Sequence, residues 1–149
     1  MPLARLDHVN LRTADLPAMV AFYTEVLGMT LGPRPPFAFG GAWLYCGEGE
    51  AKQATVHLVE VARRPEPEGE LRLEHFAFAA DGLAEFLGDL KRRGISYRIG
   101  VVPGFGIIQV NLQDPDGNHI HVDFAAAEGA AVPDEPALGG AGAKARGRG

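Results

Sequence analysis

The sequence is short of cysteine, of positive charge and of long apolar runs. Cys46 is the single cysteine, which excludes an internal disulfide framework and fits a reducing compartment. No apolar run approaches the roughly 20 residues of a membrane span, and the first ten residues lack the apolar stretch of a secretory signal. The net charge of −5 argues against nucleic-acid binding, because neutralising phosphates requires a basic surface. These absences predict a cytoplasmic protein that acts on a small-molecule substrate and has neither nucleic acid nor membrane as a partner.

The 149 residues suffice for one domain with a sizeable core. From residue 125 to residue 149, 17 of 25 positions are alanine, glycine or proline. Such a segment has little side-chain surface to bury, so its ordering entropy is not offset. We therefore predict a folded domain over residues 1–124 and a disordered Ala/Gly-rich tail over residues 125–149.

The folded part contains an internal repeat. Its first copy spans residues 8–28 and its second spans residues 75–94, and both run from a histidine through an aspartate to a glycine. Asp15 is predicted to cap the first helix and Asp81 the second, because a carboxylate accepts hydrogen bonds from the free N–H groups of a first turn. The glycines suit the left-handed position that ends a helix.

Three strand-like stretches follow each predicted helix. The last two strands are joined by the Asp-Pro-Asp-Gly sequence at residues 114–117, which is a strong turn signal. Each copy therefore predicts a β-α-β-β-β module, over about residues 4–64 and 71–124. We predict an α+β fold in which two tandem modules form a curved mixed sheet around a cleft, with the helices outside.

The five histidines lie on the strand faces opposite the predicted core, because successive side chains of a strand point to opposite faces. His8 corresponds to His75, and each leads its copy of the repeat. His57 corresponds to His121 on the closing strand, where His119 shares the same face. Imidazole is a common metal ligand near neutral pH and suits zinc, iron, nickel and copper. The repeat-related set predicts a divalent-metal site formed by His8, His57, His75 and His121.

Further side chains on these faces are candidates for binding a substrate. Gln109 and Asn111 alternate with apolar residues and could form hydrogen bonds to a ligand or simply face solvent. Arg12 could clamp a substrate carboxylate or form a surface ion pair, and Asn10 shares its face. Phe105 lies in a Pro-Gly-Phe-Gly stretch that is typical of a mobile loop able to close over a substrate.

Several motifs of this chain resemble those of the vicinal-oxygen-chelate superfamily. The similarity lies in LDHVNLRTADLPAMVAFYTEVLGM at the start, in TVHLVE in the middle, and in EHFAFAADGLAEFLGDLKRRG and DPDGNHIHVDF in the second half. The superfamily includes glyoxalase I, extradiol dioxygenases and bleomycin-resistance proteins. The resemblance implies the same fold and a homodimer, whose modules pair within one chain or by exchange between two chains. It also implies a divalent metal (Zn, Ni, Co, Mn or Fe) held by His8, His57, His75 and His121.

The resemblance carries one departure. Glyoxalase I generally has a carboxylate where His57 stands, and most of the superfamily has a glutamate where His121 stands. In glyoxalase chemistry a metal-bound glutamate also moves the substrate proton. We expect His57 or His121, released from the metal, to act as the catalytic base instead, because the pKa of imidazole lies near neutral pH. The predicted function is a divalent-metal-dependent lyase or isomerase of the glyoxalase-like type that chelates two neighbouring oxygens of a small substrate.

Two other functions stay open within the same superfamily. A metal-free protein that sequesters a small molecule, as bleomycin-resistance proteins do, would use the histidines only to line a ligand groove. An extradiol-type dioxygenase would hold Fe(II) with two histidines and one carboxylate, whereas this sequence offers histidines without a carboxylate in the expected place. Metal content and oxygen consumption distinguish the three functions.

Overall fold

The computed structural model describes residues 5–66, 73–133 and 135. Internal contacts divide these residues into two units: the first holds residues 5–66 with the turn 114–117, and the second holds the remainder from Leu73 onward. Each unit contains one mixed sheet of four strands. The predicted α+β class with two β-α-β-β-β modules is confirmed. Within the described ranges, no helix combines the length and the hydropathy that crossing a membrane requires.

The first module begins with strand β1 (Val9–Thr13) and helix α1 (Leu16–Ala21) and continues with strands β2 (Thr30–Gly32), β3 (Gly41–Cys46) and β4 (Gln53–Glu60). The strand order in its sheet is β1-β4-β3-β2. β1 runs parallel to β4, whereas β3 is antiparallel to both β2 and β4. The first strand of the module therefore lies beside its last strand.

The second module consists of β5 (Phe76–Ala79), α2 (Leu83–Arg93), β6 (Arg98–Val101), β7 (Ile108–Gln113) and β8 (His119–Phe124). Its strand order is β5-β8-β7-β6, with β5 parallel to β8 and the other pairs antiparallel. Order and direction match those of the first module, so the sequence repeat is also a structural repeat.

Helix α1 begins where the sequence predicts. The Asp15 carboxylate accepts a hydrogen bond from the Ala18 N–H at 3.1 Å. Pro17 occupies the first turn, where a missing N–H costs no helical hydrogen bond. The chain continues as a π-helical turn over Phe22–Val26 and reverses at Gly28, whose φ of +68° is the left-handed conformation that glycine adopts without strain.

Tyr23 anchors this helical segment in the core of the first unit, where it is fully buried. Its O–H donates to the Asp114 carboxylate at 2.9 Å, and the other oxygen of Asp114 accepts from the Asp116 N–H at 3.0 Å. Burial and the charge of Asp114 raise the pKa of Tyr23 far above its ordinary value. The predicted turn at residues 114–117 is therefore tied to the first unit through its leading aspartate.

The start of helix α2 corrects the prediction that Asp81 caps it. The cap position is Gly82, which is left-handed with a φ of +89° and contributes no side chain. The Glu128 carboxylate instead accepts hydrogen bonds from the Gly82 and Leu83 N–H groups, each at 2.8 Å. The helix starts one residue later than predicted, and a carboxylate from a distant part of the chain satisfies its free N–H groups.

The segment that contains Glu128 departs from the predicted disordered tail. Ala126–Ala131 forms a 3-10 helix directly after β8. A few residues further on, Glu135 forms an ion pair with Lys91 and accepts a hydrogen bond from the Tyr97 O–H at 3.3 Å. These polar contacts hold a stretch whose alanines alone could not order it. Residue 134 and residues 136–149 of the predicted tail lie outside the described residues.

The cores explain which strand faces are left for polar groups. Helix α1 packs on β3 and β4, and in the second unit the ring of Phe86 from α2 contacts that of Phe124 from β8. Alternate apolar residues of the strands are buried: Val56, Leu58, Ile108, Val110, Leu112, Ile120 and Val122. Because strand side chains alternate, the histidines of β4 and β8 lie on the opposite faces.

Candidate metal centre

The two repeat-related histidine pairs occupy the same register in the two sheets. His8 lies two residues before Asn10, which pairs with His57 across β1 and β4. His75 lies two residues before Ala77, which pairs with His121 across β5 and β8. In each pair the imidazole rings stack nearly parallel, with centroids 4.0 Å apart in the first module and 4.1 Å apart in the second. The structure thus brings together the predicted histidines of each module, in two copies of one arrangement.

A carboxylate precedes the leading histidine of each pair and contacts its ring. Oδ2 of Asp7 accepts from Nδ1 of His8 at 2.8 Å, and Oε2 of Glu74 accepts from Nδ1 of His75. These bonds lower the pKa of both carboxyl groups. Because Nδ1 carries the hydrogen, Nε2 has the free lone pair and is the ring nitrogen that can bind a metal.

His57 has an aromatic environment. Its buried ring lies between the rings of His8 and Trp43, with centroids 4.0 Å and 4.1 Å away. The Nε2–H donates to the Ala54 carbonyl at 3.1 Å, which leaves Nδ1 as the nitrogen with a free lone pair. Burial, and then the charge of His8, lowers the pKa of His57, so this imidazole is held neutral at neutral pH.

His121 has a polar environment with unmet hydrogen-bonding capacity. Its ring is buried, and among the described residues its Nδ1 has no hydrogen-bond partner. The Oδ1 atom of Asp123, which is also buried and has no hydrogen-bond partner among these residues, lies 3.9 Å from that nitrogen. Burial, and then the charges of His75 and His119, lowers the pKa of His121. Buried polar atoms left without partners are typical of sites that receive an ion, a water or a substrate.

His119 lies beside His75 and His121, although the sequence analysis left it outside the predicted ligand set. One ring nitrogen of each of His75, His119 and His121 lies within 4.8 Å of the others. The Nδ1 of His119 lies 2.9 Å from Oε1 of Glu74, and its Nε2 lies 3.0 Å from Oδ1 of Asn111. The sequence could have indicated this, because His119 and His121 are two residues apart on one strand and so point to the same face of the sheet.

The donor set fits a divalent cation of the borderline class. Imidazole nitrogens suit zinc, cobalt, nickel and iron, whereas magnesium and calcium require oxygen ligands. The second module brings one ring nitrogen from each of three imidazoles within 4.8 Å of the others, and the buried Nδ1 of His121 has no hydrogen-bond partner among the described residues. The residues present therefore fit the divalent metal that the sequence predicts.

The predicted substrate residues lie in varied environments. Asn10 and Arg12 are exposed on β1, and Gln109 is half-buried on β7. Asn111 donates through its amide nitrogen to the carbonyls of Arg98 and Gln109, at 3.3 Å and 3.2 Å. Phe105 is 77% exposed in the loop after β6, as a side chain able to contact a ligand must be. Their role in binding a substrate stays a prediction.

The sequence of the chain matches the model of a known protein family. The family model described as the Glyoxalase/Bleomycin resistance protein/Dioxygenase superfamily matches residues 5–122. The chain belongs to this superfamily. The resemblance identified from the sequence motifs is therefore confirmed.

The curated relatives of this superfamily member include lactoylglutathione lyases. The chain is 30% identical to the lactoylglutathione lyase of Salmonella typhimurium over 123 residues. This alignment covers 79% of this chain and 90% of the relative. It is 29% identical, with the same coverage, to the lactoylglutathione lyase of Escherichia coli O157:H7.

Solved structures of the superfamily share the fold. A glyoxalase family protein from Bacillus anthracis matches with a TM-score of 0.66 and 25% identity, over 84% of this chain and 98% of that one. Lactoylglutathione lyase from Agrobacterium tumefaciens matches with a TM-score of 0.60 and 24% identity, over 85% of this chain and 98% of that one.

Proposed function

We propose that this chain is a divalent-metal-dependent lyase or isomerase of the glyoxalase-like type that binds a small substrate through two neighbouring oxygen atoms. The observation that carries the proposal is the duplicated histidine pair, in which a carboxylate on Nδ1 leaves Nε2 free in both leading histidines. The identity of 30% to a lactoylglutathione lyase over 79% of the chain supports the same reaction class.

The proposed ligands are His8, His57, His75 and His121. Their support is the identical register of the two pairs and the stacking of each pair. The two modules contribute two imidazoles each, from one chain or by exchange between the two chains of a homodimer. A cytoplasmic location fits this proposal and stays a prediction.

A bound divalent cation would supply Lewis acidity, which stabilises negative charge on substrate oxygens. The chain itself must then move a proton between two carbon atoms of the substrate. His57 and His121 replace the usual carboxylates, and the lowered pKa of each keeps a proton-accepting nitrogen available at neutral pH.

His121 is favoured over His57 as the proton acceptor. Once released from the metal, His121 can take the proton on Nδ1, which has no hydrogen-bond partner among the described residues, and the nearby carboxylate of Asp123 would stabilise the imidazolium that forms. His57 is covered by two aromatic rings. The proton that His121 takes from one substrate carbon would return to the neighbouring carbon, so the reaction consumes no oxidant.

The first experiment is elemental analysis of protein purified without a histidine tag, followed by an activity screen after loading with Zn, Ni, Co, Mn or Fe. We expect one equivalent of metal per chain, lost in His75→Ala and kept in Arg92→Ala, an exposed change on helix α2. We also expect turnover of a 2-oxoaldehyde–thiol adduct. Protein that binds none of these metals would instead indicate a sequestration protein, and oxygen consumption with Fe(II) and a catechol would indicate a dioxygenase.

A further inference from the structure

The orientation of the Asn111 amide is fixed by the backbone. Its nitrogen donates to two carbonyl oxygens, those of Arg98 and Gln109. A flipped amide would place its oxygen against both of these acceptors. Oδ1 is therefore the atom that faces Nε2 of His119, at 3.0 Å.

The orientation of the Asn111 amide determines that Nε2 of His119 carries a hydrogen. Because Oδ1 of Asn111 only accepts, Nε2 of His119 must carry a hydrogen and donate it. The opposite ring nitrogen faces Oε1 of Glu74 at 2.9 Å. A carboxylate oxygen also only accepts, so His119 makes both bonds with a hydrogen on each ring nitrogen. In that form it has no lone pair for a metal, which argues against His119 as a metal ligand despite its closeness to His75 and His121.

Glu74 links His119 to a predicted ligand. One carboxylate oxygen contacts His119, and the other accepts from Nδ1 of His75. The side chain of Glu74 is 69% exposed, so burial does not hold its conformation. The hydrogen bond from His119 replaces packing as the constraint, and Asn111 holds His119 in turn.

Among its described residues, the first module lacks this arrangement. Asp7 contacts His8, but its other carboxylate oxygen meets Gln53 at 3.3 Å instead of an imidazole. The strand position equivalent to His119 is Thr55, whose hydroxyl contacts Cys46 at 3.3 Å. The position equivalent to Asn111 is Trp43, which pairs with His57 as Asn111 pairs with His121.

We propose that Glu74 and His119 are positioning residues that fix His75 as its Nδ1–H tautomer, so that Nε2 is presented as the ligand atom. The inference rests on the proposed function in that His75 is taken as a metal ligand, but the tautomer itself is a property of the metal-free protein. Supporting residues of this kind change the metal affinity of a site by about 10–100-fold.

The test uses the metal-free full chain, labelled with nitrogen-15, at a series of pH values from about 6 to about 8, which spans the ordinary pKa of histidine. Long-range proton–nitrogen NMR correlations report which ring nitrogen of His75 carries the hydrogen. We expect hydrogen on Nδ1 in the original protein and a shift toward hydrogen on Nε2 in both Glu74→Ala and His119→Ala. His119→Gln, which retains an N–H donor, should restore part of the original tautomer population.

The matched control is Asp7→Ala in the first module, which should change the tautomer of His8 and leave that of His75 unaltered. Zinc titration should then show a 10–100-fold weaker affinity for Glu74→Ala and His119→Ala, with unchanged stoichiometry. A His75 tautomer that is the same in both alanine variants would overturn the inference.

Cobalt(II) absorption spectra separate positioning from direct ligation. We expect His119→Ala to keep the band shape of the original protein, because the ligand set is unchanged. A changed band shape would make His119 a ligand and overturn its positioning role. Failure of the proposed function gives a different result: the chain would bind no divalent metal while His75 still shows the tautomer shift.

Discussion

The two modules share a backbone but surround their histidine pairs with different side chains. Next to the pair in the first module lie Trp43 and Val59, and Thr55 precedes His57. At the equivalent positions the second module has Asn111, Asp123 and His119. The stacked pair is therefore a property of the strand register, whereas its environment is a property of each module. One pair is covered by an aromatic ring, and the other is held by a hydrogen-bond network.

This difference separates two ways of fixing an imidazole. His57 is fixed by packing between rings and by a bond to a backbone carbonyl. His75 is fixed by a carboxylate that is itself fixed by His119. Packing is insensitive to salt and costs no desolvation of charge, whereas the polar network gives directional control of a ring nitrogen.

The largest effect on stability is expected for Trp43→Ala in the first module. Removing a large aromatic side chain costs about 3 kcal/mol when it is well packed, and urea unfolding measures this loss. Exposure of His57 should also raise its pKa toward the ordinary value, because burial is the main cause of its lowering. Asn111→Ala in the second module is the control, and it should leave the NMR titration of His57 unchanged. An unaltered pKa in Trp43→Ala would contradict the packing role.

A second comparison concerns the helices. Tyr23→Phe should destabilise the chain by about 1–3 kcal/mol, because it removes a donor to the buried Asp114 carboxylate. Asp89 stands near the corresponding position of α2 and pairs with Arg93 at 2.8 Å on the surface. Asp89→Asn should cost no more than about 0.5 kcal/mol, because exposed helical ion pairs contribute little. If urea unfolding gave the two variants equal losses of unfolding free energy, a larger contribution from the buried hydrogen bond would be contradicted.

The caps of the two helices also differ between the modules. Asp15→Ala removes a cap from within the first module, and Glu128→Ala removes one that comes from 45 residues beyond Leu83. We expect losses of about 1 kcal/mol for the first and up to about 2 kcal/mol for the second, which accepts two hydrogen bonds. Hydrogen exchange should also rise over Ala126–Ala131 only in Glu128→Ala. Unchanged exchange there would contradict the anchoring role of Glu128.

The smallest effect is a dependence of stability on pH. The folded pKa values of His57 and His121 are lowered, so between them and the unfolded value of about 6.5 the unfolded chain binds more protons. Their contribution is fully present above the unfolded pKa and is lost as the pH falls toward the folded values. Urea unfolding between about pH 7.5 and pH 5 measures the slope, which should be shallower in His57→Gln. A slope of opposite sign would contradict the assignment.

Regular features of the sequence predicted much of this fold. Strand alternation placed His57 and His121 opposite the core, and the Asp15 and Gly28 signals bounded the first helix. Asp81 failed as a cap because the left-handed Gly82 shifts the helix start, which a local pattern does not reveal.

Such local patterns could not predict the contacts between residues that are distant in the chain. Glu128 and Glu135 order a segment whose composition is typical of disorder, because single carboxylates meet partners on α2. The role of His119 likewise depends on Asn111 across the β7–β8 pair and on Glu74, a residue 45 positions away in the chain. Spacing along one strand shows the face that His119 shares, but not which nitrogen meets which acceptor.

We propose that histidines from both modules bind one divalent cation. The most direct test is calorimetric zinc titration of the tag-free chain beside His8→Ala and His75→Ala, one equivalent change in each module. We predict one zinc per chain and a loss of affinity in both variants that exceeds the roughly 100-fold expected for a supporting residue. Binding by His8→Ala with the original affinity, or no binding by the original chain, would contradict the claim.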